Sequence, residues 1–412
     1  MRTVRGADAR QSLVESPYAW TRLVTALLLS TLGGVGMWSV VVVLPAVQAE
    51  FGVARGAASL PYTLTMVGFG LGGVLMGRLS DRFGVIAPVI VGTFALGAGM
   101  VAAGAAGSLW LYAIVQGLLV GVGSSATFGP LVADVSFWFT RRRGIAIAIC
   151  ASGNYLAGAI WPPVVQHFIE TVGWRTTNIG IGIFCVFAML PLALVLRRPV
   201  PILDAAGGSG MSALRSPLAL GLSPAALQTL LIIAGTACCV AMAMPQVHIV
   251  ALCSDLGYGA ARGAEMLSLM LGFGIVSRLV SGAIADRVGG LRTLLLGSTL
   301  QGVALVLYLG SEGLVSLYVV SALFGLFQGG IVPSYALIIR EFFSPREAGA
   351  RIGTVIMATL FGMALGGWMS GAIYDLTGSY NAAFMNGIAW NLLNLSIAGW
   401  LLFRSTRRYA PA

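Results

Sequence analysis

Long apolar stretches separated by short polar interruptions dominate the chain, and this pattern limits what it can fold into. A helix crosses the hydrocarbon core of a bilayer with about 20 predominantly apolar residues, and stretches of that length recur along all 412 residues. Only 9% of the residues are charged and the mean hydropathy is +0.91, whereas a soluble domain carries about 25% charged residues. The sequence therefore predicts an all-α integral membrane protein.

We predict twelve membrane-spanning helices from these stretches. Each stretch is long enough to cross the bilayer core as a helix. The predicted spans are 20–47, 56–79, 85–105, 109–135, 144–169, 174–197, 224–251, 262–284, 291–310, 313–340, 352–374 and 381–404.

The basic residues indicate the orientation of these helices. All 24 are arginine, so the net charge of +10 rests on a side chain that stays protonated. With Arg278 set aside inside the eighth span, Arg55, Arg175 and Arg262 fall on one side of the membrane. The other 20 fall on the side of the N-terminus: Arg2, Arg5, Arg10, Arg22, Arg78, Arg82, Arg141, Arg142, Arg143, Arg197, Arg198, Arg215, Arg287, Arg292, Arg340, Arg346, Arg351, Arg404, Arg407 and Arg408.

Cytoplasmic loops of membrane proteins carry the excess of basic residues. We therefore expect a multi-pass protein of the plasma (inner) membrane with both termini in the cytoplasm. A sequence pI near 9.8 would suggest nucleic-acid binding in a soluble protein, but here it reports topology. We expect the lipid bilayer as surroundings, no nucleic-acid partner, and a monomer.

The sequence does not favour an enzyme. We find no metal-binding cluster, nucleophile constellation or phosphate-binding loop, and we expect no cofactor. The cysteines lie in or beside predicted spans without a C-x-x-C pair, so we interpret them as packing residues and predict neither a metal site nor a disulfide framework. They are Cys150, Cys185, Cys238, Cys239 and Cys253.

An internal repeat divides the chain into two halves. Residues 77–84 (GRLSDRFG) recur as residues 282–289 (GAIADRVG), at an offset of 205 residues, and the same offset relates Phe137 to Phe342 and Gly173 to Gly378. We predict a six-helix bundle in residues 1–197, a cytoplasmic linker in 198–223 and a second bundle in 224–412. Parallel repeats of this kind build one large class of transporters, with the substrate site near the membrane midplane between the halves.

The repeated motif is a candidate cytoplasmic gate. Glycines allow close helix approach and tight turns, and its acids are placed to face neighbouring helix N-termini, whose dipoles favour negative charge. The alternative is an ordinary capped loop, but repetition in register favours gating. The gate residues are Gly77, Asp81, Arg82 and Gly84 in the first copy, and Gly282, Asp286, Arg287 and Gly289 in the second.

This combination resembles the major facilitator superfamily, whose motif between helices two and three corresponds to Gly77–Gly84. The resemblance covers nearly the whole chain. It implies twelve transmembrane helices in two pseudo-symmetric six-helix bundles, and transport by alternating access.

Arg278 is the main candidate for substrate binding. An arginine near the middle of a membrane helix costs about 2.5–3.5 kcal/mol on insertion scales, and something must offset that cost. Its planar donors suit a carboxylate, which favours an anionic substrate in a water-filled cavity. The alternatives are snorkelling to the cytoplasmic edge, because the predicted span ends six residues later, and a structural hydrogen-bond hub.

Asp255 and His248 near the outer end of the seventh span are candidates for proton coupling. A carboxylate near the external mouth is placed to take up a proton together with an anion, and histidine titrates in the physiological range. The alternatives are a solvated loop acid for Asp255 and a hydrogen-bonded packing residue for His248. We expect Asp134, at the cytoplasmic end of the fourth span, to pair with the arginine-rich loop at 141–143.

The fifth predicted span resembles one particular family within this superfamily. Residues 137–158 run through an aromatic segment, Arg-Arg-Arg-Gly, alternating alanines and Ser-Gly-x-x-x-x-Gly, which resembles the monocarboxylate transporter and oxalate:formate antiporter family. The segment 33–38 (GGVGMW) resembles the family's first-helix motif, and 371–380 (GAIYDLTGSY) resembles the turn before its last helix.

This resemblance implies a role for Arg278, since an eighth-helix arginine binds the substrate carboxylate in that family. Gly274 stands where animal-type members have an aspartate four residues earlier, so Asp255 is the remaining candidate for the proton, similar to the outer seventh-helix acid of bacterial relatives. Oxalate exchangers add a basic residue in the eleventh helix. The span 352–374 has none, which favours a monoanion.

Other polar and aromatic residues within the spans are candidates to complete the cavity, although each is individually as compatible with packing. Asn154, Tyr155 and Gln328 come first, because the fifth and tenth helices line the cavity of the family. The remaining candidates are Trp38, Gln116, Ser124, Phe327, Asn386 and Asn391.

We therefore expect a secondary active transporter of small monocarboxylate anions, with the carboxylate as substrate and a proton as the coupling ion in symport. The alternatives are an organic-anion exchanger of the oxalate/formate type, a drug:proton antiporter and, in a different class, a non-transporting membrane sensor. An antiporter of cationic drugs would need a buried acid in the first half and a fifth-helix Gly-Pro pattern, neither of which the sequence shows.

Overall fold

The computed structural model describes residues 14–198 and 221–407, and these residues form helices without any strand. The predicted linker at 198–223 falls almost entirely outside the described residues. So do five of the arginines used to assign the orientation: Arg2, Arg5, Arg10, Arg215 and Arg408.

Twelve long helical segments follow one another through the described part of the chain. Eleven of them are long and apolar enough to cross a membrane. The twelfth has 28 residues and thus the required length, but four asparagines make it more polar. The all-α membrane fold expected from the sequence is confirmed. The segments are α1 Pro17–Phe51, α2 Arg55–Phe83, α3 Ile86–Gly104, α4 Leu109–Trp138, α5 Arg143–Val172, α6 Trp174–Val195, α7 Pro224–Asp255, α8 Ala260–Val288, α9 Gly290–Leu309, α10 Leu314–Phe342, α11 Pro345–Thr377 and α12 Tyr380–Arg407.

Several of these segments are not regular helices. The α-helical geometry is interrupted at Gly34 in α1, at residues 126–128 in α4, at Ser152 in α5 and at residues 329–330 in α10. In addition, α4 contains a π-helical turn at Gln116–Gly121, a deviation that recurs at functional sites. A further interruption lies at Ser59 in α2, where no cavity residue was nominated, so the irregular backbone is not restricted to the nominated helices.

The described residues pack as two units. The first unit comprises Met1–Val43 and Val67–Gly210, and the second comprises Leu44–Met66 and Met211–Ala412, each taken over its described residues. The second unit thus includes the end of α1 and the beginning of α2 in addition to α7–α12. The domain boundaries expected from the sequence stay a prediction.

Glycines bring the helices of the first unit into backbone contact. A Cβ atom on Gly68 of α2 would lie 1.9 Å from the carbonyl oxygen of Gly117 in α4. Gly97 of α3 and Gly182 of α6 meet in the same way, since a Cβ on Gly182 would lie 2.6 Å from the Gly97 carbonyl oxygen. Small residues at helix crossings are the usual means by which membrane helices pack closely.

Glycines also bring the helices of the second unit into backbone contact. A Cβ on Gly366 of α11 would lie 2.5 Å from the carbonyl oxygen of Val240 in α7. A Cβ on Gly325 of α10 would lie 1.9 Å from the carbonyl oxygen of Met270 in α8. These contacts fix α7 and α8, which carry the candidate coupling and anion-binding residues, against α11 and α10.

A buried ion pair holds one end of the first unit together. Arg22 of α1 donates from Nε to Asp134 Oδ2 at 2.6 Å and from Nη2 to Oδ1 at 2.8 Å. Its Nη1 donates to the carbonyl oxygens of Leu196 at 3.0 Å and Arg198 at 3.2 Å, at the end of α6. The side chains of Arg22 and Asp134 are 1% and 3% exposed. One arginine therefore ties α1, α4 and α6 together.

This pair corrects the prediction for Asp134. The arginine-rich loop at 141–143 does not supply its partner, because Arg22 reaches it from a distant part of the sequence. The loop is instead held through its backbone, where the amides of Arg141 and Arg142 donate to Glu15 Oε1 at 2.8 and 2.9 Å. The hydrogen bond from the Arg142 amide lowers the pKa of the Glu15 carboxyl, which favours its ionised form.

We predict that breaking the Arg22–Asp134 pair strongly destabilises the protein. Replacing Asp134 by Ala leaves the guanidinium buried without its counter-charge, and removal of one partner of a buried pair costs roughly 3–5 kcal/mol. The measurement is the thermal stability of the detergent-solubilised protein, followed as the monodisperse fraction after heating.

The matched control is Glu347→Ala. Glu347 pairs with Arg351 one turn away, but its side chain is 57% exposed, and an exposed helix pair contributes about 0.3–0.5 kcal/mol. Equal stability losses for Asp134→Ala and Glu347→Ala would contradict the structural role of the buried pair.

Candidate functional site

Arg278 lies well inside α8. Ten residues separate it from the end of the helix at Val288, which is about 15 Å at 1.5 Å per residue. The sequence placed the end of this span six residues away, so the helix is longer than expected on that side. The added residues include the exposed, charged Asp286 and Arg287, so the apolar part of α8 still ends where the sequence placed it. The side chain of Arg278 is half-buried, and its role in binding stays a prediction.

The interruption of α10 lies directly against Arg278. The helix stops at Gln328 and resumes at Ile331. A Cβ on Gly329 would lie 2.3 Å from the carbonyl oxygen of Gly274 and 3.1 Å from the backbone nitrogen of Arg278. The interruption in α10 therefore positions the part of α8 that carries the arginine.

Gln328 at the end of this first part of α10 is fully buried. Its Oε1 accepts a hydrogen bond from Gln246 Nε2 of α7 at 2.8 Å. Its own Nε2 has no hydrogen-bond partner among the described residues, and a buried donor left unsatisfied costs about 1–3 kcal/mol. Gln328 therefore offers an N–H donor suited to a ligand oxygen. The neighbouring Phe327 is half-buried.

Gln246 was not singled out from the sequence. The signal was an amide residue within the long apolar stretch of α7. Its partner lies 82 positions away, so only the packing of α7 against α10 reveals the pair.

Trp38 and Asn154, which the sequence nominates separately, meet in the first unit. The indole Nε1 of Trp38 donates to the Asn154 carbonyl oxygen at 3.1 Å and lies 3.3 Å from Asn154 Oδ1. Gly34 makes this approach possible, because a Cβ at that position would lie 2.6 Å from Ala157 Cβ. Tyr155 is 9% exposed and faces the interior of the unit.

Gln116 and Ser124 lie on the irregular part of α4. Both are buried, and Gln116 Nε2 donates to the Tyr112 hydroxyl at 3.2 Å. Gln116 Oε1 and Ser124 Oγ have no hydrogen-bond partner in the described part of the chain. These two residues therefore keep hydrogen-bonding capacity that the fold does not use.

The two asparagines nominated in α12 differ in their surroundings. Asn391 is buried and donates from Nδ2 to the Ser298 carbonyl oxygen of α9 at 3.1 Å. A Cβ on Gly302 would lie 2.5 Å from the same Nδ2, so the asparagine fills the space above that glycine. Asn386 is half-buried. The Oδ1 of Asn391 has no hydrogen-bond partner among the described residues, so its Nδ2 serves packing while its Oδ1 keeps hydrogen-bonding capacity.

Asp255 ends α7 and belongs to a cluster with Arg55 and Tyr380. Its Oδ2 lies 3.0 Å from Nη2 of Arg55 and accepts a hydrogen bond from the Tyr380 hydroxyl at 2.6 Å. The Tyr380 hydroxyl oxygen also accepts from Arg55 Nη1. Asp255 is therefore not the simple solvated loop acid of the alternative interpretation.

Arg55 is anchored to this cluster through its backbone as well. Asp375 of α11 accepts from the backbone N–H of Arg55 at 2.8 Å and from that of Gly56 at 2.6 Å. Gln48 Oε1 accepts from Arg55 Nε at 2.6 Å, and the Tyr374 ring lies 4.8 Å from the guanidinium carbon. The sequence assigned Arg55 to the outer side but gave it no function, although Asp375 and Tyr380 belong to the noted motif at 371–380.

His248 is fully buried in α7 and does not join Asp255. Its Nε2 lies 2.8 Å from the Gly367 carbonyl oxygen of α11. Seven positions, about two helical turns, separate it from Asp255. This position favours a hydrogen-bonded packing residue over a proton carrier.

The two copies of the repeated motif each end in a glycine with a positive φ. Gly84 and Gly289 have φ values of +77° and +85°, which only glycine adopts without strain. Each amide donates to a carbonyl four residues earlier, those of Ser80 at 2.8 Å and Ala285 at 2.9 Å. The repeat is thus structural as well as sequential.

Other features of the motif differ from expectation. Gly77 and Gly282 have no atom near a would-be Cβ, so they do not mediate close helix approach in this structure. Asp81 and Asp286 are exposed and make no hydrogen bond or ion pair with described residues. Their motif neighbours Arg82 and Arg287 are exposed too.

Glu341 makes the acid-to-helix contact expected of Asp286. Located near the end of α10, it accepts from the Gly290 amide at the beginning of α9 at 2.7 Å. A carboxylate at a helix N-terminus is stabilised by the helix dipole. Its position at the end of an apolar span gave no sequence signal for this role.

The cysteines at positions 150, 185, 238, 239 and 253 are all buried. No group of three or more His, Cys, Asp or Glu residues suited to a metal ion occurs within 14–198 and 221–407.

The sequence model of the Major Facilitator Superfamily matches residues 26–311 and 229–411. Among curated proteins, the chain is 31% identical to monocarboxylate transporter 13 of Bos taurus over 315 residues, which cover 74% of this chain and 71% of the relative. It is 26% identical to the MFS-type transporter opdF of Penicillium oxalicum over 334 residues, or 78% of this chain and 75% of the relative.

A solved structure shows the same fold at low sequence identity. It is a bacterial homologue of the human lysosomal transporter Spinster in an inward-facing, occupied conformation, with a TM-score of 0.75 and 13% identity. The match covers 96% of this chain and all of the other.

We predict that Gly329→Ala disrupts the contact between α8 and α10. The backbone of Gly329 is in the right-handed helical region, so alanine meets no conformational penalty and the clash with the Gly274 carbonyl oxygen decides the outcome. Overpacking of this kind costs about 1–3 kcal/mol, measured as a loss of thermal stability in detergent.

The control is Gly353→Ala in α11, where a new Cβ meets no atom within 4 Å. Alanine is the better helix former by about 0.5–1 kcal/mol, so this variant should be at least as stable as the parent. A Gly329→Ala protein as stable as Gly353→Ala would show that the α8–α10 contact tolerates expansion.

Proposed function

Because the chain belongs to the major facilitator superfamily and is a multi-pass membrane transporter related to monocarboxylate transporters, we propose that it carries small organic monocarboxylate anions. Transport proceeds by alternating access and is coupled to protons in symport. Arg278 anchors the carboxylate, and Asp255 carries the proton.

The embedded position of Arg278 is the observation that carries this proposal. The arginine stands ten residues inside α8, where burial of a charge is costly, and its backbone is positioned by the glycines of α10. A guanidinium binds a carboxylate through two parallel hydrogen bonds. The unsatisfied Nε2 of Gln328, next in sequence to Gly329, supports a role in binding a second oxygen of the substrate.

The charge inventory supports a monoanion over a dianion. From residue 352 to the end of α11 at Thr377 there is no basic residue, so the second cation that a dianion would need is missing there. An exchanger of the oxalate/formate type is therefore only the second candidate. The two candidates differ in what drives uptake: a pH gradient drives proton symport, whereas exchange needs a counter-anion on the opposite side.

The buried acid of the first unit does not support a drug:proton antiporter. Asp134 is fully engaged by Arg22 in a two-bond ion pair, so it offers no free negative charge to a cationic drug. A non-transporting sensor is the remaining alternative, and it predicts specific binding without uptake.

We also propose the plasma (inner) membrane as the location, with both termini in the cytoplasm and the Asp255 cluster at the external end. The distribution of arginines supports this orientation. The chain acts as a monomer, without nucleic acid as a partner.

The first test replaces Arg278. Arg278→Ala should reduce uptake of labelled lactate or pyruvate into proteoliposomes about 10- to 100-fold, because a charge-assisted hydrogen bond contributes about 1.5–3 kcal/mol. Arg278→Lys should retain part of the uptake, since lysine keeps the charge but not the planar fork.

Arg262→Ala is the matched control on the same helix. Arg262 pairs with Glu265 at the exposed end of α8, with 53% of its side chain accessible, and its loss should leave uptake near the parental rate. Unchanged uptake by a correctly folded Arg278→Ala protein would refute the anchor.

The second test imposes a pH gradient. An acidic exterior should accelerate uptake by the parent protein, whereas Asp255→Asn should lose this acceleration because its amide does not bind the proton. The measurement is initial uptake with and without the gradient at constant membrane potential.

Glu312→Gln provides the control for this measurement. Glu312 is an exposed acid in the loop before α10, on the side predicted to be external, and its replacement should leave the gradient response intact. Gradient-independent uptake by the parent protein would exclude proton symport and favour exchange or facilitated diffusion.

A further inference from the structure

Arg55 is the first residue of α2, and its charged side chain is buried. Only 7% of its side chain is exposed, whereas the side chain of its partner Asp255 is 33% exposed. The cation is thus shielded while the acid remains open to water. Nothing in the binding of an anion by Arg278 requires this arrangement.

The side chain and the backbone of Arg55 have different acceptors. Asp375 is occupied by the backbone amides of Arg55 and Gly56, whereas Asp255 pairs with the guanidinium. Asp255 is therefore the carboxylate that supplies the negative charge for the buried cation. Asp375 instead holds the backbone of Arg55 in place.

The anchor is rigid because backbones touch on both sides. A Cβ on Gly371 would lie 2.9 Å from the Arg55 carbonyl oxygen, and one on Gly56 would lie 3.1 Å from the Ala372 nitrogen. Ser59 Oγ also donates to the Arg55 carbonyl oxygen at 2.8 Å. The segment at 55–59 is consequently held against α11 independently of the Arg55 side chain.

We propose that Arg55 is the positioning residue for proton coupling: it competes with the proton for Asp255. The carboxylate either pairs with the guanidinium or takes up a proton from external water at Oδ2. Protonation makes the acid neutral, leaves the guanidinium charged without its counter-charge, and releases the side-chain link between the segment at 44–66 and the end of α7. This inference rests on the proton symport proposed above.

The groups around Asp255 fit such a competition. Tyr380 of α12 donates to Asp255 and accepts from Arg55, so its hydroxyl bridges the pair and can rotate when the acid becomes neutral. Tyr374 of α11 faces the guanidinium through its ring. On α8, Arg262 and Glu265 pair with each other.

The other titratable groups on α7 are His248 and the buried Cys238, Cys239 and Cys253. His248 lies two turns away in the interior, with Nε2 2.8 Å from the Gly367 carbonyl oxygen, and the Cys253 thiol lies 3.5 Å from Met266 Sδ. Asp375 is held by two amides. The exposed carboxylate of Asp255 is thus the group of this cluster that a proton from outside reaches first.

The test is the external-pH profile of uptake. The guanidinium of Arg55 lies 3.0 Å from Asp255, and an opposite charge at this distance opposes protonation of a carboxylate. Arg55→Gln should therefore shift the midpoint of the profile toward higher external pH, while Arg55→Lys should stay close to the parent. A shift of equal size in both variants, or in neither, would overturn the proposal.

A second measurement follows the release of the end of α7 without relying on transport. Ser254, the neighbour of Asp255, is half-buried, so Ser254→Cys is introduced into a variant lacking the five native cysteines and labelled with a membrane-impermeant maleimide. Labelling should accelerate several-fold between external pH 7.5 and 5.5. Asp255→Asn should label at the fast rate at both values.

These two measurements separate the inference from the proposed function. Labelling that depends on pH in a protein whose uptake ignores the gradient would uphold the Arg55–Asp255 competition and refute symport. Gradient-driven uptake with pH-independent labelling and an unshifted Arg55→Gln profile would uphold symport and refute the competition. Tyr380→Phe, which removes the bridging hydroxyl, keeps the test available if Arg55→Gln does not fold.

Discussion

A charge taken out of water in a membrane protein must be given a counter-charge or a ligand, and this constraint organises the structure. Arg22 receives Asp134 together with the carbonyls at the end of α6, and three helices are tied together as a result. Arg55 receives Asp255 and is fixed through its backbone by Asp375. In both cases the compensation of one cation decides which helices stay in contact.

The two ion pairs differ in how far their side chains are exposed to water. Both side chains of the Arg22–Asp134 pair are buried, so the pair is a fixed part of the first unit. In the Arg55–Asp255 pair the cation is buried but the acid is partly exposed, so a proton from water has access to Asp255. Arg278 differs in position, because it lies well inside α8 and its side chain is half-buried.

The repeat in the sequence survives in the fold, but the chemistry is not duplicated. Gly84 and Gly289 both have a positive φ at the ends of the helices that carry the motif. The acid that contacts a helix N-terminus beside the second copy is nevertheless Glu341, and the first copy has no counterpart among the described residues. The repeat therefore reproduces the glycine turn but not the contact made by the acid.

The sequence by itself determined the membrane class, the helices and the repeat, because apolar length, arginine placement and glycine motifs are local properties. It also nominated Arg278 and Asp255 as candidates, since an ionisable residue in or beside an apolar span is conspicuous, and their roles stay predictions. Only the tertiary structure decided the partners. Arg55 and Asp255 are 200 positions apart and Gln246 and Gln328 are 82 apart, and no local pattern encodes such contacts, because the packing of helices decides which side chains meet.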